Sequence, residues 1–122
     1  LLVFSPRQDG LAERLQRVVA SVFPDESMEV CRTVDHLAQG LRQAVLAPRL
    51  AVLRIAEQRN LSEILSLGEL LADLKIVLIL PDRDRATIVQ GHRLRPRFLS
   101  YADSDLSDIA AVLGKMKTTL QQ

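Results

Sequence analysis

Leu50-Ala51-Val52-Leu53-Arg54-Ile55 is apolar at every position but one. A strand with one wet face alternates apolar and polar residues; this stretch does not alternate, so it reads as a strand buried on both faces. Similar runs lie on either side of it: Leu1-Leu2-Val3-Phe4, Met28-Glu29-Val30-Cys31, Ile76-Val77-Leu78-Ile79-Leu80 and Phe98-Leu99-Ser100. Each of the five is followed by a segment of helical period. Five strand–helix units in succession predict an α/β domain whose parallel sheet is covered by helices on both faces, a three-layer (βα)5 chain.

The helices are legible from their stripes. Asp9 is a plausible N-cap for a helix carrying Leu11, Leu15, Val18, Val19 and Val22, which Pro24-Asp25 ends. The second strand is expected over Met28 to Arg32, after which Thr33 caps a helix with Leu37, Leu41 and Val45 on its buried side. Gly40 weakens that helix and Pro48 stops it. Asn60 is expected to cap one continuous helix with Leu61, Ile64, Leu65, Leu67 or Gly68, Leu70, Leu71 and Leu74 on its stripe. The fourth strand, Lys75 to Leu80, turns out through Pro81-Asp82-Arg83-Asp84 into a short helix from Thr87 to Leu94. Pro96 precedes the last strand, Arg97 to Tyr101, and an Asp103-Ser104-Asp105 cap opens a final helix carrying Leu106, Ile109, Ala110, Leu113, Met116 or Lys117, and Leu120.

The totals narrow the function classes. A chain of 122 residues, 48% of them apolar, suits one domain with one sheet. Aromatics are 3% of the chain, too few for a protein that stacks bases. Sixteen basic against fifteen acidic side chains leave a formal charge of +1, with no general pull toward nucleic acid or anionic lipid. The one cysteine, Cys31, cannot form an internal disulfide, which fits a reducing cytoplasm. No apolar run approaches the ~20 residues that cross a bilayer, and Leu1 to Phe4 is too short to be a signal sequence. The chain begins without Met and ends in Gln121-Gln122, so it reads as a single domain, 1–122, cut from a longer protein.

In sheets of this kind ligands sit beyond the carboxyl ends of the strands. Here those ends are Ser5-Pro6, Arg54 and Leu80-Pro81. They lack the clustered carboxylates that a divalent cation and a phosphoryl group require. Arg54 has two readings. Either it reaches water at the strand end, or it is buried and paired with Glu57, Asp82 or Asp9, because an unpaired buried guanidinium costs several kcal/mol. His36 and His92 have no cysteine or carboxylate at metal-ligand spacing and read as surface histidines. Cys31 reads as a small core or half-exposed residue. No cofactor or metal is expected. The loop Ser5-Pro6-Arg7-Gln8-Asp9-Gly10 holds one Gly and a Pro without an N–H, a poor phosphate cradle. Arg83, Arg85, His92, Arg93, Arg95 and Arg97 form a basic run that Asp103, Asp105 and Asp108 follow. The run reads either as a solvated mixed-charge surface or as a charge-complementary interface; the interrupting carboxylates disfavour nucleic acid.

Taken in order, four stretches resemble the receiver domain of bacterial two-component response regulators. They are Leu2-Val3-Phe4-Ser5-Pro6, Met28 to Leu37, Pro48 to Ile55 and Arg97 to Ala102, so the resemblance covers essentially the whole chain. It implies a flavodoxin-like sheet in the order 2-1-3-4-5. It also implies a degenerate, pseudo-receiver site. The family's metal-binding acidic pair falls on Ser5 and Pro6, and its phosphoacceptor aspartate on Arg54. Its phosphoryl-sensing Thr or Ser falls on Leu80, and its Lys-Pro on Tyr101 and Ala102. The switch aromatic is kept at Phe98. Phosphoryl transfer to a carboxylate needs the carboxylate, a cation and a basic partner for the product, and the matching positions supply none of the three.

The expectation is therefore a phosphorylation-independent signalling module, not an enzyme. It would act in two-component or transcription control by forming a homodimer or by docking on a partner domain of its own chain. Its candidate interface is Arg93, Leu94, Arg97, Tyr101, Asp103, Asp105 and Asp108, with no direct nucleic-acid contact and no membrane. The alternative is a small-ligand-binding or enzymatic flavodoxin-like domain.

Overall fold

The computed structural model describes residues 1–25, 28–43 and 50–120. Five strands, β1 (Leu2–Phe4), β2 (Glu29–Cys31), β3 (Leu50–Arg54), β4 (Lys75–Leu80) and β5 (Phe98–Tyr101), alternate with five helices. The helices are α1 (Gly10–Val22), α2 (Val34–Gln43), α3 (Gln58–Leu65), α4 (Arg85–Arg93) and α5 (Ser107–Leu120). All strand pairs are parallel, in the order β2-β1-β3-β4-β5. This is the three-layer (βα)5 architecture expected from the sequence.

Strand parity sorts the core into two layers, because alternate residues of a strand face opposite sides. Leu2, Phe4, Ala51, Leu53, Ile76, Leu78 and Leu80 pack with Leu37, Leu61, Ile64 and Leu94 from the α2, α3 and α4 side. Val3, Leu50, Val52, Val77 and Ile79 pack with Leu11, Leu15, Val19, Ile109 and Leu113 from α1 and α5. Lys117 closes the second layer by donating from Nζ to the Val22 carbonyl at 2.9 Å, where α1 ends. Strand β3 is buried at all five positions, Arg54 included.

Local signals explain most boundaries. The Ala12 N–H donates to Asp9 Oδ1 at 3.0 Å, and the His36 N–H to Thr33 Oγ1 at 3.0 Å, so both predicted caps are present. Asn60 is not an N-cap. It is the third residue of α3, and its Oδ1 accepts from the Ala56 and Glu57 N–H groups instead, at 3.2 and 2.9 Å. Nor does one helix run to Leu74: α3 stops at Leu65 and a short 3₁₀ turn, Gly68–Leu71, follows. Gly68 there has a φ of 31°, outside the range of an α-helix and tolerable for glycine. The final helix starts at Ser107, where Asp105 Oδ1 accepts from the Ser107 N–H and Oγ. Leu106 before it has a φ of 68°, a strained value for a residue with a Cβ. Its fully buried side chain and the bond from its N–H to Ser104 Oγ hold it there. Val45 and Pro48 lie outside the described residues.

Candidate functional site

The carboxyl ends of β1 and β3 meet at Arg54. Its side chain is only 8% exposed, so the reading in which it reaches water is corrected. Of the three carboxylates proposed for it, Asp9 is the partner. Arg54 Nη1 donates to Asp9 Oδ1 at 3.1 Å and Nη2 to Oδ2 at 2.8 Å, a two-pronged pair. Nη1 also donates to the Arg7 carbonyl at 3.3 Å. The third nitrogen, Nε, is buried with no acceptor among the described residues. Asp9 thus caps α1 and neutralises Arg54 with the same carboxylate, and the guanidinium beside it is the main cause holding its carboxyl below the ordinary range. Around this pair Glu57 bridges two further cations, Arg7 at 3.3 Å and Arg59 at 2.7 Å, all three more than two-fifths exposed.

Ser5, Pro6, Leu80 and Tyr101 do lie at strand ends, but they add no acidic ligand there. Ser5 is buried; its N–H donates to the Cys31 carbonyl and its Oγ to the Arg7 carbonyl. Leu80 is fully buried core. Tyr101 is half-buried, and the Arg83 guanidinium stacks over its ring, 4.2 Å from the centroid. Phe98 is not with them. It is the first residue of β5 and packs in the α1–α5 layer, so the switch position implied by the resemblance falls at the opposite end of the strand.

The proposed interface is also partly consumed. Leu94 is buried among α3 and β4 side chains and cannot supply an exposed contact. Asp103 forms a two-pronged pair with Arg83, its Oδ1 accepting from Nη2 at 3.0 Å. Asp108 turns inward: Oδ2 accepts from Ser100 Oγ at 2.6 Å and Oδ1 from Ser104 Oγ at 2.9 Å. Burial pushes its carboxyl upward, but these hydrogen bonds and one from the Ile109 N–H outweigh it and leave it below the usual carboxylate value. Arg93, Arg97 and Asp105 remain exposed, as does Val89 on α4, a large apolar side chain at 51% exposure.

A second cluster lies where sequence reasoning placed nothing. Glu29, Cys31 and His36 bring one ligand atom each within 4.8 Å of the other two. His36 is exposed, as a surface histidine is, but the fold sets beside it a cysteine and a carboxylate that its sequence spacing did not suggest. Residues 29 and 31 share a face of β2, and the first turn of α2 folds His36 back onto it. Strand parity was the signal available for this. Cys31 is buried rather than half-exposed, and burial, with a smaller effect from Glu29, pushes its thiol up to about 11.

Three clefts open at the other end of the sheet, where strands begin. One is lined by Leu65, Leu71, Leu74 and Arg95, one by Lys75, Arg97, Val112 and Met116, and one by Arg42, Leu67 and Glu69. None of the three touches Arg54. No protein-family model matches the chain, and neither the curated proteins nor the solved structures contain a match.

Proposed function

We propose that the chain is a phosphorylation-independent, receiver-like interaction module of the cytoplasm that acts by dimerising or by docking on a partner domain of its own protein. The observation that carries this reading is the Arg54–Asp9 pair. A flavodoxin-like sheet that transferred a phosphoryl group would need a carboxylate and a cation beyond β3. A guanidinium stands there instead, 8% exposed and already neutralised. Magnesium brought to the same place would meet a fixed positive charge, and the nearest carboxylate is engaged by that charge and by the α1 backbone. The pair also ties β3 to the start of α1, which favours a strand-end region with one arrangement over one that switches. The exposed side chains Val89, Arg93, Arg97 and Asp105 support contact through the α4–β5–α5 side.

Intact-mass measurement after incubation with acetyl phosphate and Mg2+ tests this. The expected result is an unchanged mass. An acid-stable, base-labile phosphoryl adduct on an aspartate would overturn the reading. Light scattering over a concentration series tests the association. A weak dimer that Arg93→Glu loosens is expected, and a monomer at every concentration would leave docking within a longer chain as the mode of action.

A further inference from the structure

We propose that Glu29, Cys31 and His36 form a binding site for a thiophilic divalent cation of the Zn2+ class, which clips the edge strand β2 to helix α2. The three side chains are a sulfur, an imidazole nitrogen and a carboxylate, the donor set that Zn2+ takes and that Mg2+ and Ca2+ do not. Their ligand atoms lie within 4.8 Å of one another, and His36 Nε2 is already 3.0 Å from Glu29 Oε1. Donors around a tetrahedral Zn2+ stand about 3.5 Å apart, so closing the set asks for small rotations of the two exposed side chains.

The surroundings fit a built site. Cys31 forms the floor; its side chain is fully buried and its thiol is free of any disulfide. Glu29 and His36 form the mouth, with side chains 52% and 44% exposed, which gives a cation its route from solvent and leaves a coordination position for water. Thr33 fixes the first turn of α2 by accepting from the His36 N–H at 3.0 Å, and so aims the ring. Gly40, one turn after His36, keeps the space beside the carboxylate open: a Cβ there would lie 3.5 Å from Glu29 Oε2 and 3.2 Å from Leu2 Cδ2. On binding, the Cys31 thiol gives its proton to solvent and the thiolate sulfur takes the metal.

The site is independent of the reading of the strand ends, since it lies on the edge strand β2, two strands from β3, and uses none of the residues of the Arg54 pair. Titration of the reduced, tag-free chain with Co2+ tests it. The expected result is one Co2+ per chain with tetrahedral visible bands and a near-ultraviolet thiolate-to-cobalt band. Zn2+ should displace them, and excess Mg2+ should not. Cys31→Ser removes the thiolate band. Because Cys31 is in the core, two variants at exposed positions carry the test if Cys31→Ser unfolds. His36→Ala should weaken Co2+ binding by roughly 100-fold and Glu29→Gln by roughly 10-fold, with circular dichroism unchanged. His92→Ala should bind like the parent. A titration without the thiolate band, or a His36→Ala protein that binds as tightly as the parent, would overturn the proposal.

Discussion

Two Arg–Asp forks of the same geometry stand near the carboxyl ends of the strands. Arg54–Asp9 joins β3 to the start of α1, and Arg83–Asp103 joins the loop after β4 to the loop after β5. The first arginine is 8% exposed and the second 59%. In water a pair gains little Coulomb energy and loses side-chain freedom in forming, so an exposed fork contributes almost nothing. In the interior the same contact is an obligation, because either charge alone is costly. Within the buried fork a second asymmetry appears: Arg54 is enclosed, whereas the Asp9 side chain is 42% exposed and can fall back on water.

That asymmetry orders the expected effects. Asp9→Ala is the largest. It strands the Arg54 guanidinium in the interior and removes the α1 cap, at a combined cost of about 3–5 kcal/mol in a denaturant melt. A loss below ~1 kcal/mol would mean that Arg54 finds water. Acid should reproduce part of this effect. The folded-state carboxyl of Asp9 lies below its ordinary 3.8. Its contribution is thus complete above that value and is lost as the pH falls through the lowered folded value. Comparing stability against pH for the parent and Asp9→Asn should show the two curves converging in that acid window; parallel curves would detach Asp9 from the acid response.

Arg54→Met should cost less than either, about 1 kcal/mol. The apolar stem is kept, the orphaned Nε disappears, and the remaining carboxylate is partly hydrated. A cost equal to that of Asp9→Ala would show that the two ends of the fork are equivalent. Arg83→Ala is the smallest: its melting curve should overlay the parent's at low and high salt. A clear loss that salt also produces would raise the outer fork to a structural element.

The fold was legible because each apolar run has a length and punctuation that only a covered strand fits, and because Asp9 and Thr33 announce their helices by local chemistry. The partner of Arg54 was legible only as one of three carboxylates. Asp9 lies 45 positions away in sequence, and nothing local says which loop turns toward β3. The α3 boundary failed because Leu70, Leu71 and Leu74 continue the helical stripe, while the backbone at Gly68 leaves it. The cluster around Cys31 was missed for another reason. Glu29, Cys31 and His36 all lie within positions 29–36 but at no usual metal-ligand spacing, and only one strand's parity and the return of the next helix bring them together.

Strand β2 has a consequence for how this chain behaves in a crowd. It is an outer border of the sheet, three residues long, and it begins at the exposed carboxylate of Glu29. The other border, β5, is four residues long and is entered from the exposed Arg97. An open border is a template on which a second chain can add a strand and seed a fibre. Here each template is short and guarded at its entrance by a charge, so the hydrophobic strands β3 and β4, which would propagate such growth most readily, are kept to the middle. Replacing Glu29 and Arg97 with valine would lengthen both borders as apolar surface and turn a discrete domain toward polymerisation.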